Sequence, residues 1–418
     1  MHALRARVRT TLLVALSSGP VPAAFAVQSQ APADSWTVYA ERVHTAPGSV
    51  VEGGMVTIKD GKVASVAKGQ SDAEDALRVF AVTAGMIDLG ARIHNGQSSV
   101  EQSREVTAEA RVSASLNLFD PAWMRAAKSG VTSVMVTPPD ENVIGGLCVA
   151  LKTHGSNSLD ERALKLDCAL RGAIGTQPSR RNHPAFQRAD DFYSRRPTTR
   201  MGVEWVMRKA FYDAAYSRSE PARAFPGSRE LLEALDGKRP FVVQAWATQD
   251  IRTAVYLREE MAAEGFGDLK LIIDAGAEAW REPELLVRTK TGVILPPFPW
   301  QGRTGDGALM PFNTARVLLE RGVPVALSSH GASAADQRLD RQAGFAMRGG
   351  LSFDEALAAV TTTPAGMIGV SDRVGTLEAG KDGDLVMWSG PPFEATSRVV
   401  GVLIDGQLVL DPRPGVQQ

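Results

Sequence analysis

Histidine and cysteine are both scarce in this chain of 418 residues, which contains six of the first and two of the second. Cys148 and Cys168 are too few for the disulfide framework of a small secreted scaffold, and neither has the C-x-x-C spacing or histidine neighbours of a zinc site. Both lie in apolar, strand-like stretches (147–151 and 166–170), the setting of buried free thiols, although an oxidising compartment would let them pair if their geometry allowed. Cationic excess is also missing: Lys and Arg number 46 against 47 Asp and Glu, so nucleic acid is not expected as a partner. No apolar run approaches the roughly 20 residues that a membrane-spanning helix needs, so no membrane span is expected either. The G-x-S-x-G elbow of a serine hydrolase is absent, and Gly145-Gly146 lacks the rest of a phosphate-binding loop.

What is present suits a folded protein, with 44% hydrophobic and 22% charged residues. The length accommodates one domain of about 250–300 residues and a smaller one. At the N-terminus Arg5, Arg7 and Arg9 precede a short apolar run (12–16) and the small-x-small triplet Ala24-Phe25-Ala26, the layout of a cleaved secretory signal over residues 1–26. Its removal takes away three arginines and no acid, moving the formal charge from −1 to −4 and leaving an exported protein, periplasmic or secreted. Five histidines then remain: His44, His94, His154, His183 and His330.

After a polar linker, residues 36–66 alternate in short strand-like runs. Asp60-Gly61 lies between two of them and tolerates the positive φ of a type I′ hairpin turn. From residue 82 the pattern changes to strand and helix in alternation, the signature of a parallel sheet. Asp120-Pro121 opens a helix that ends at Gly130, and 131–136 follows as a buried strand; later strands are expected at 241–243, 269–273, 293–295 and 323–327, each followed by loop and helix. Ser352 and Glu355 have the spacing of a capping box, Gly322 ends the helix before the last strand, and 172–197 is expected as a long loop or insertion. The chain returns to β at 374–386 and in a hairpin, 399–404 and 407–410, whose turn is Asp405-Gly406. These strands are expected to pair with the N-terminal module.

Residues 82–96 resemble the first barrel strand of the amidohydrolases, where the family writes P-G-[LM]-I-D-x-H-x-H. Ala84-Gly85-Met86-Ile87-Asp88 fits the lead-in, but Gly90 and Arg92 stand at the two metal-binding histidines. The likeness spans residues 36–410 and is strongest to the imidazolonepropionase-like branch: Asn142-Val143-Ile144-Gly145-Gly146, Lys152, Thr199-Arg200-Met201-Gly202 and Gly380-Lys381-Asp382-Gly383-Asp384 follow in the family's order. The resemblance implies an α/β protein, a (β/α)8 TIM-like metal-dependent hydrolase barrel with a small composite β-sandwich from both chain ends. Its parts would be the signal (1–26), the first half of the sandwich (27–81), the barrel (82–372) and the second half (373–418).

In that family one or two divalent ions lower the pKa of a bound water to about 7 and polarise the scissile carbonyl. The resemblance puts Gln244-Ala245-Trp246 where H-A-H is usual, Asp274-Ala275 where the next histidine is expected, and His330 in place of the catalytic acid. Arg171 aligns with the bridging lysine. A guanidinium stays protonated and an alanine side chain has no donor, so the usual ligand set is lost. The former-site pocket would be Gly90, Arg92, His94, Gln244, Trp246, Asp274, Ala275 and His330, with no catalytic residue assigned, no metal ligand and no cofactor.

The expectation is therefore an exported, catalytically inactive homologue acting as a binding or partner subunit, in a homo-oligomer or a hetero-oligomer with an active amidohydrolase paralogue. The alternative is a hydrolase of carbon–nitrogen bonds through a relocated or incomplete site, one divalent metal such as Zn held by His94, Asp274 and His330. A metal-free acid–base enzyme using His330 and Arg92 is a third reading.

Overall fold

Two sheets carry the chain, and Gly85 marks the passage from one to the other. The computed structural model describes residues 35–69, 76–91, 93, 100–101, 103–180, 182, 196–298, 305–330 and 338–413. The expected signal, Arg92, His94, His183 and much of the 172–197 loop lie outside these residues. Among the described residues no helix is long and apolar enough to cross a membrane.

The first sheet takes β1 (Ser35–Ala46), β2 (Ser49–Lys59), β3 (Lys62–Lys68) and β4 (Leu77–Ala84) from the front of the chain. The second begins with β5 (Met86–Asp88), β6 (Val131–Val136), β7 (Ile144–Lys152) and β8 (Ala163–Ala173). It continues with β9 (Phe241–Gln244), β10 (Leu271–Asp274), β11 (Gly292–Leu295) and β12 (Val325–Leu327). The chain then returns to the first sheet with β13 (Leu385–Trp388), β14 (Val399–Ile404) and β15 (Gln407–Leu410). The first sheet runs β15-β14-β13-β4-β1-β2-β3, so both chain ends meet where β13 pairs with β4. Both hairpin turns expected from Asp-Gly occur, with positive φ at Asp60, Gly61, Asp405 and Gly406. At Gly85 the backbone passes so close to Thr132 that an added Cβ would lie 2.8 Å from its Cβ, and Gly85 N donates to Asp384 O at 3.1 Å.

The second sheet is an eight-stranded, nearly closed barrel in the order β12-β11-β10-β9-β8-β7-β6-β5. One expectation needs correcting: the strand at 131–136 leads into a meander instead of a helix, with β7 antiparallel to both β6 and β8. The short strands β9 to β12 are buried throughout, as a parallel sheet covered on both faces requires. Period-two alternation separates the two faces. Ile87, Met135, Cys148, Ala169, Val242, Ile272, Ile294 and Ala326 form the apolar interior, closed from below by Ala365, Ile368, Val370 and Val374. Val243, Ile273, Val293 and Val325 face the helices outside. Cys148 and Cys168 are buried free thiols; burial pushes Cys168 up to about 12.

The helix cues also hold. The Asp120 side chain accepts from Ala122 N at 2.8 Å at the start of Pro121–Lys128, and Ser352 and Glu355 form a reciprocal capping box before Phe353–Val360. Gly322 has a positive φ of 87° after Thr314–Glu320.

Candidate functional site at the barrel mouth

Two residues further along each strand, the inward positions change from apolar to polar. Above Ala169, Val242, Ile272 and Ala326 stand Arg171, Gln244, Asp274 and Ser328, at the C-terminal ends where this architecture places its chemistry. Arg171 is the centre. Its Nε and Nη2 donate to Asp140 Oδ1 at 2.8 and 2.7 Å, and Nη2 also donates to Asp274 Oδ2 at 2.6 Å. Gln244 Nε2 donates to the other Asp140 oxygen at 2.6 Å, and His330 Nε2 meets Asp274 Oδ1 at 2.7 Å. Ala275 N completes the Asp274 shell at 2.8 Å. Among the described residues, Arg171 Nη1 and Gln244 Oε1 have no hydrogen-bond partner.

Burial alone would raise the Asp274 carboxyl, but His330 and the Arg171 guanidinium outweigh it and hold the group well below the usual carboxylate range. Burial lowers Arg171, whereas Asp140 and Asp274 raise it further, so its proton is more firmly held than in water.

A third carboxylate closes the barrel seam. Among the described residues no ladder joins β5 to β12, the two ends of the strand order. Asp88 spans them: Gly90 N and Ser328 Oγ donate to Oδ1 at 3.0 and 2.7 Å, while Ser329 N, at 3.1 Å, and Ser329 Oγ donate to Oδ2. His330 follows with φ 44° and donates its backbone N–H to Ser328 Oγ at 3.1 Å. This places the imidazole over Gly90, where an added Cβ would overlap Ser328 Oγ and lie 2.9 Å from His330 Nε2. Trp246 stands edge-on to the same ring, with centroids 6.1 Å apart.

The structure thus brings together Gly90, Gln244, Trp246, Asp274, Ala275 and His330, six of the positions expected from the sequence; Arg92 and His94 are outside the described residues. Ala275 contributes only backbone, in the left-handed region at φ 58°. Asp140 was not expected. It sits in the Pro138-Pro139-Asp140-Glu141 turn after β6, where no periodic pattern points inward. Asp88 was visible only as part of the lead-in.

A rim cluster was also missed. Arg200, at the start of the helix Arg200–Tyr216, meets Asp306 at 2.5 Å and Asp250 at 3.5 Å, and Asp306 accepts from Thr176 Oγ1 at 2.7 Å. Burial pushes the Asp250 carboxyl up to about 6 against the opposing pull of Arg200.

The family's metal ion does not fit this set of side chains. The first ligand position has no side chain, and its space is taken by Ser328 and His330. Asp274 gives its oxygens to Arg171, His330 and Ala275, and Asp88 gives its own to the seam. Among the described residues no group of three or more His, Cys, Asp or Glu could hold a metal ion.

A nearly closed eight-stranded barrel, flanked by a sheet assembled from both chain ends and with its polar layer at the mouth, is the architecture this chain shares with solved amidohydrolases. Residues 300–410 match the amidohydrolase family. Amidohydrolase tasK of Hapsidospora irregularis is 25% identical over 406 residues, covering 87% of this chain and 40% of that protein. The imidazolonepropionase of Shouchella clausii (strain KSM-K16) is 33% identical over 116 residues, 23% of this chain and 24% of that protein. The chain therefore spans well under half the length of these curated relatives. A solved amidohydrolase from Thermotoga maritima MSB8 superposes with a TM-score of 0.76 at 28% identity, covering 90% of this chain and 99% of that one. The chain belongs to the amidohydrolase superfamily.

Proposed function

We propose that this chain is an exported amidohydrolase-superfamily protein without metal-assisted hydrolysis, serving as a binding or partner subunit in the periplasm or outside the cell. Its partners would be further copies of itself or an active amidohydrolase paralogue. The observation that carries the reading is at Gly90: the room a ligand side chain needs is filled by Ser328 and His330. A metal-activated water requires an open coordination position beside fixed donors, and here the donors face one another. Elemental analysis of the purified protein for Zn, Fe and Mn, with an assay on cyclic amides and dipeptides, tests this. Stoichiometric metal or metal-dependent turnover refutes it, and co-purification with a paralogue bearing an intact H-x-H tests the partner role.

A second reading, carbon–nitrogen bond hydrolysis through a relocated metal, draws on the meeting of Asp274 and His330 at 2.7 Å. It requires His94 as third ligand. His94→Ala would then abolish both bound metal and turnover, and neither would change under the first reading. The same contact supports a metal-free variant in which His330 moves the proton and Asp274 orients its ring. That reading requires turnover insensitive to chelators and lost in His330→Gln.

A further inference from the structure

Asp140 Oδ1 and Asp274 Oδ2 converge on a single atom, Nη2 of Arg171, at 2.7 and 2.6 Å. All three side chains are 2% exposed. Each carboxylate gives its second oxygen to a neighbour, Asp140 to the Gln244 amide and Asp274 to the His330 ring. The two acids come from different strand ends, 103 and 31 residues from Arg171 in sequence. Arg171 is the one cation that both of these acids share in the contacts above. Without Arg171 the layer would be two adjacent carboxylates with an amide oxygen and an imidazole beside them, the oxygen and nitrogen donors that take a divalent first-row ion.

We infer that the Arg171 guanidinium is a built-in replacement for a divalent cation, and that the carboxylates it neutralises form a latent cation site, closed while residue 171 is positively charged. The inference rests on the reading that the family's own metal centre has gone. It goes further by naming what took over its charge and where the lost affinity can be recovered. Guanidinium suits the task because its planar fork meets two carboxylates at once and does not deprotonate.

The test compares wild type, Arg171→Gln and Arg171→Lys in the full chain, each treated with chelator and then titrated with Zn2+ or Mn2+. Calorimetry reads stoichiometry and thermal unfolding reads the shift. Arg171→Gln is expected to bind one ion per chain and gain about 3 °C at a hundredfold excess over Kd, while wild type and Arg171→Lys show no cation-dependent shift. If Arg171→Gln does not fold alone, the inference requires that it refold with Zn2+ or Mn2+ and that Arg171→Lys fold without either.

The inference is overturned by an Arg171→Gln that folds and ignores both ions, by one that neither folds nor is rescued, or by an Arg171→Lys as cation-responsive as Arg171→Gln. Stoichiometric metal on the wild type overturns it together with the proposed function. A metal-free wild type with an unresponsive Arg171→Gln overturns it alone.

Discussion

At the base of the barrel Lys152 is enclosed by Asp382, Asp384 and Asp405 at 2.9, 2.6 and 3.0 Å; at the mouth Arg171 is enclosed by Asp140 and Asp274. Both cations are almost wholly buried, and both sit on strands of the same antiparallel meander, β7 and β8. Their partners differ in origin. The base acids come from the C-terminal part of the first sheet, 232 residues from Lys152 in the case of Asp384, so the cluster welds that sheet to the barrel. Lys62 and Arg373 also reach Asp382, matching three acids with three cations. The mouth acids belong to the barrel itself and share one arginine, whose Nη1 has no partner among the described residues. A buried ion pair is weak evidence of net stabilisation but costly to break. The base cluster joins the two sheets, whereas the mouth cluster joins strand ends and loops of the barrel alone.

The largest effect is expected at the base. Lys152→Met leaves three carboxylates without their common cation, and a loss of about 3–5 kcal/mol follows from the cost of an unpaired buried charge; denaturant unfolding measures it. A variant as stable as wild type would show that the base cluster is no such joint. At the mouth, Asp274→Asn is expected to cost less, about 2–3 kcal/mol, because Arg171 keeps Asp140 and the amide keeps one acceptor. The wild-type contribution of Asp274 is full above the unfolded pKa near 3.9 and is lost as pH falls through the depressed folded value. The two proteins should therefore differ at neutral pH and converge only in strong acid.

Next in size is Gly90→Ala, a steric probe of how tightly Ser328 and His330 pack against Gly90. Its Cβ would overlap Ser328 and His330, at a cost of roughly 1–2 kcal/mol typical of overpacking. In a His330→Ala background the same substitution is expected to cost less, and thermal unfolding of the four proteins in the cycle gives the difference. Equal costs in both backgrounds would show that His330 does not crowd Gly90.

The barrel was legible because its information is local: apolar runs at 241–243 and 293–295, Asp-Gly turns and the capping box each specify backbone with their own residues. The Ala84–Asp88 lead-in made the superfamily readable, and the same resemblance pointed to Gly90, Gln244 and Ala275, which the barrel brings to its mouth. The meander was missed because β7, at Ile144–Lys152, is a buried apolar run that looks the same parallel or antiparallel. Asp140 and the Arg200–Asp250–Asp306 rim were missed because their partners lie 31 to 106 residues away, and only the closed barrel brings them into contact. Arg171 was noticed as a substituted lysine; its pairing with two acids is a property of three strand ends together.

The smallest expected effect contrasts the two acids nearest the mouth. Asp274 is held low by His330 and Arg171, whereas Asp250, at the start of the helix Thr248–Ala263, is raised to about 6 because burial outweighs Arg200 at 3.5 Å. A raised carboxyl means that the folded state holds its proton more tightly than the unfolded chain. The associated stability is full below the unfolded pKa near 3.9 and is lost as pH rises through about 6. Asparagine at 250 has no proton to lose. Asp250→Asn should therefore gain on wild type between about pH 4 and pH 6, by on the order of 1 kcal/mol after allowance for partial solvent screening, and run parallel to it above that range. Urea unfolding at closely spaced pH values gives the two profiles. A constant offset across the window would mean that the pair with Arg200 governs Asp250, bringing the rim under the same rule as the Arg171 layer.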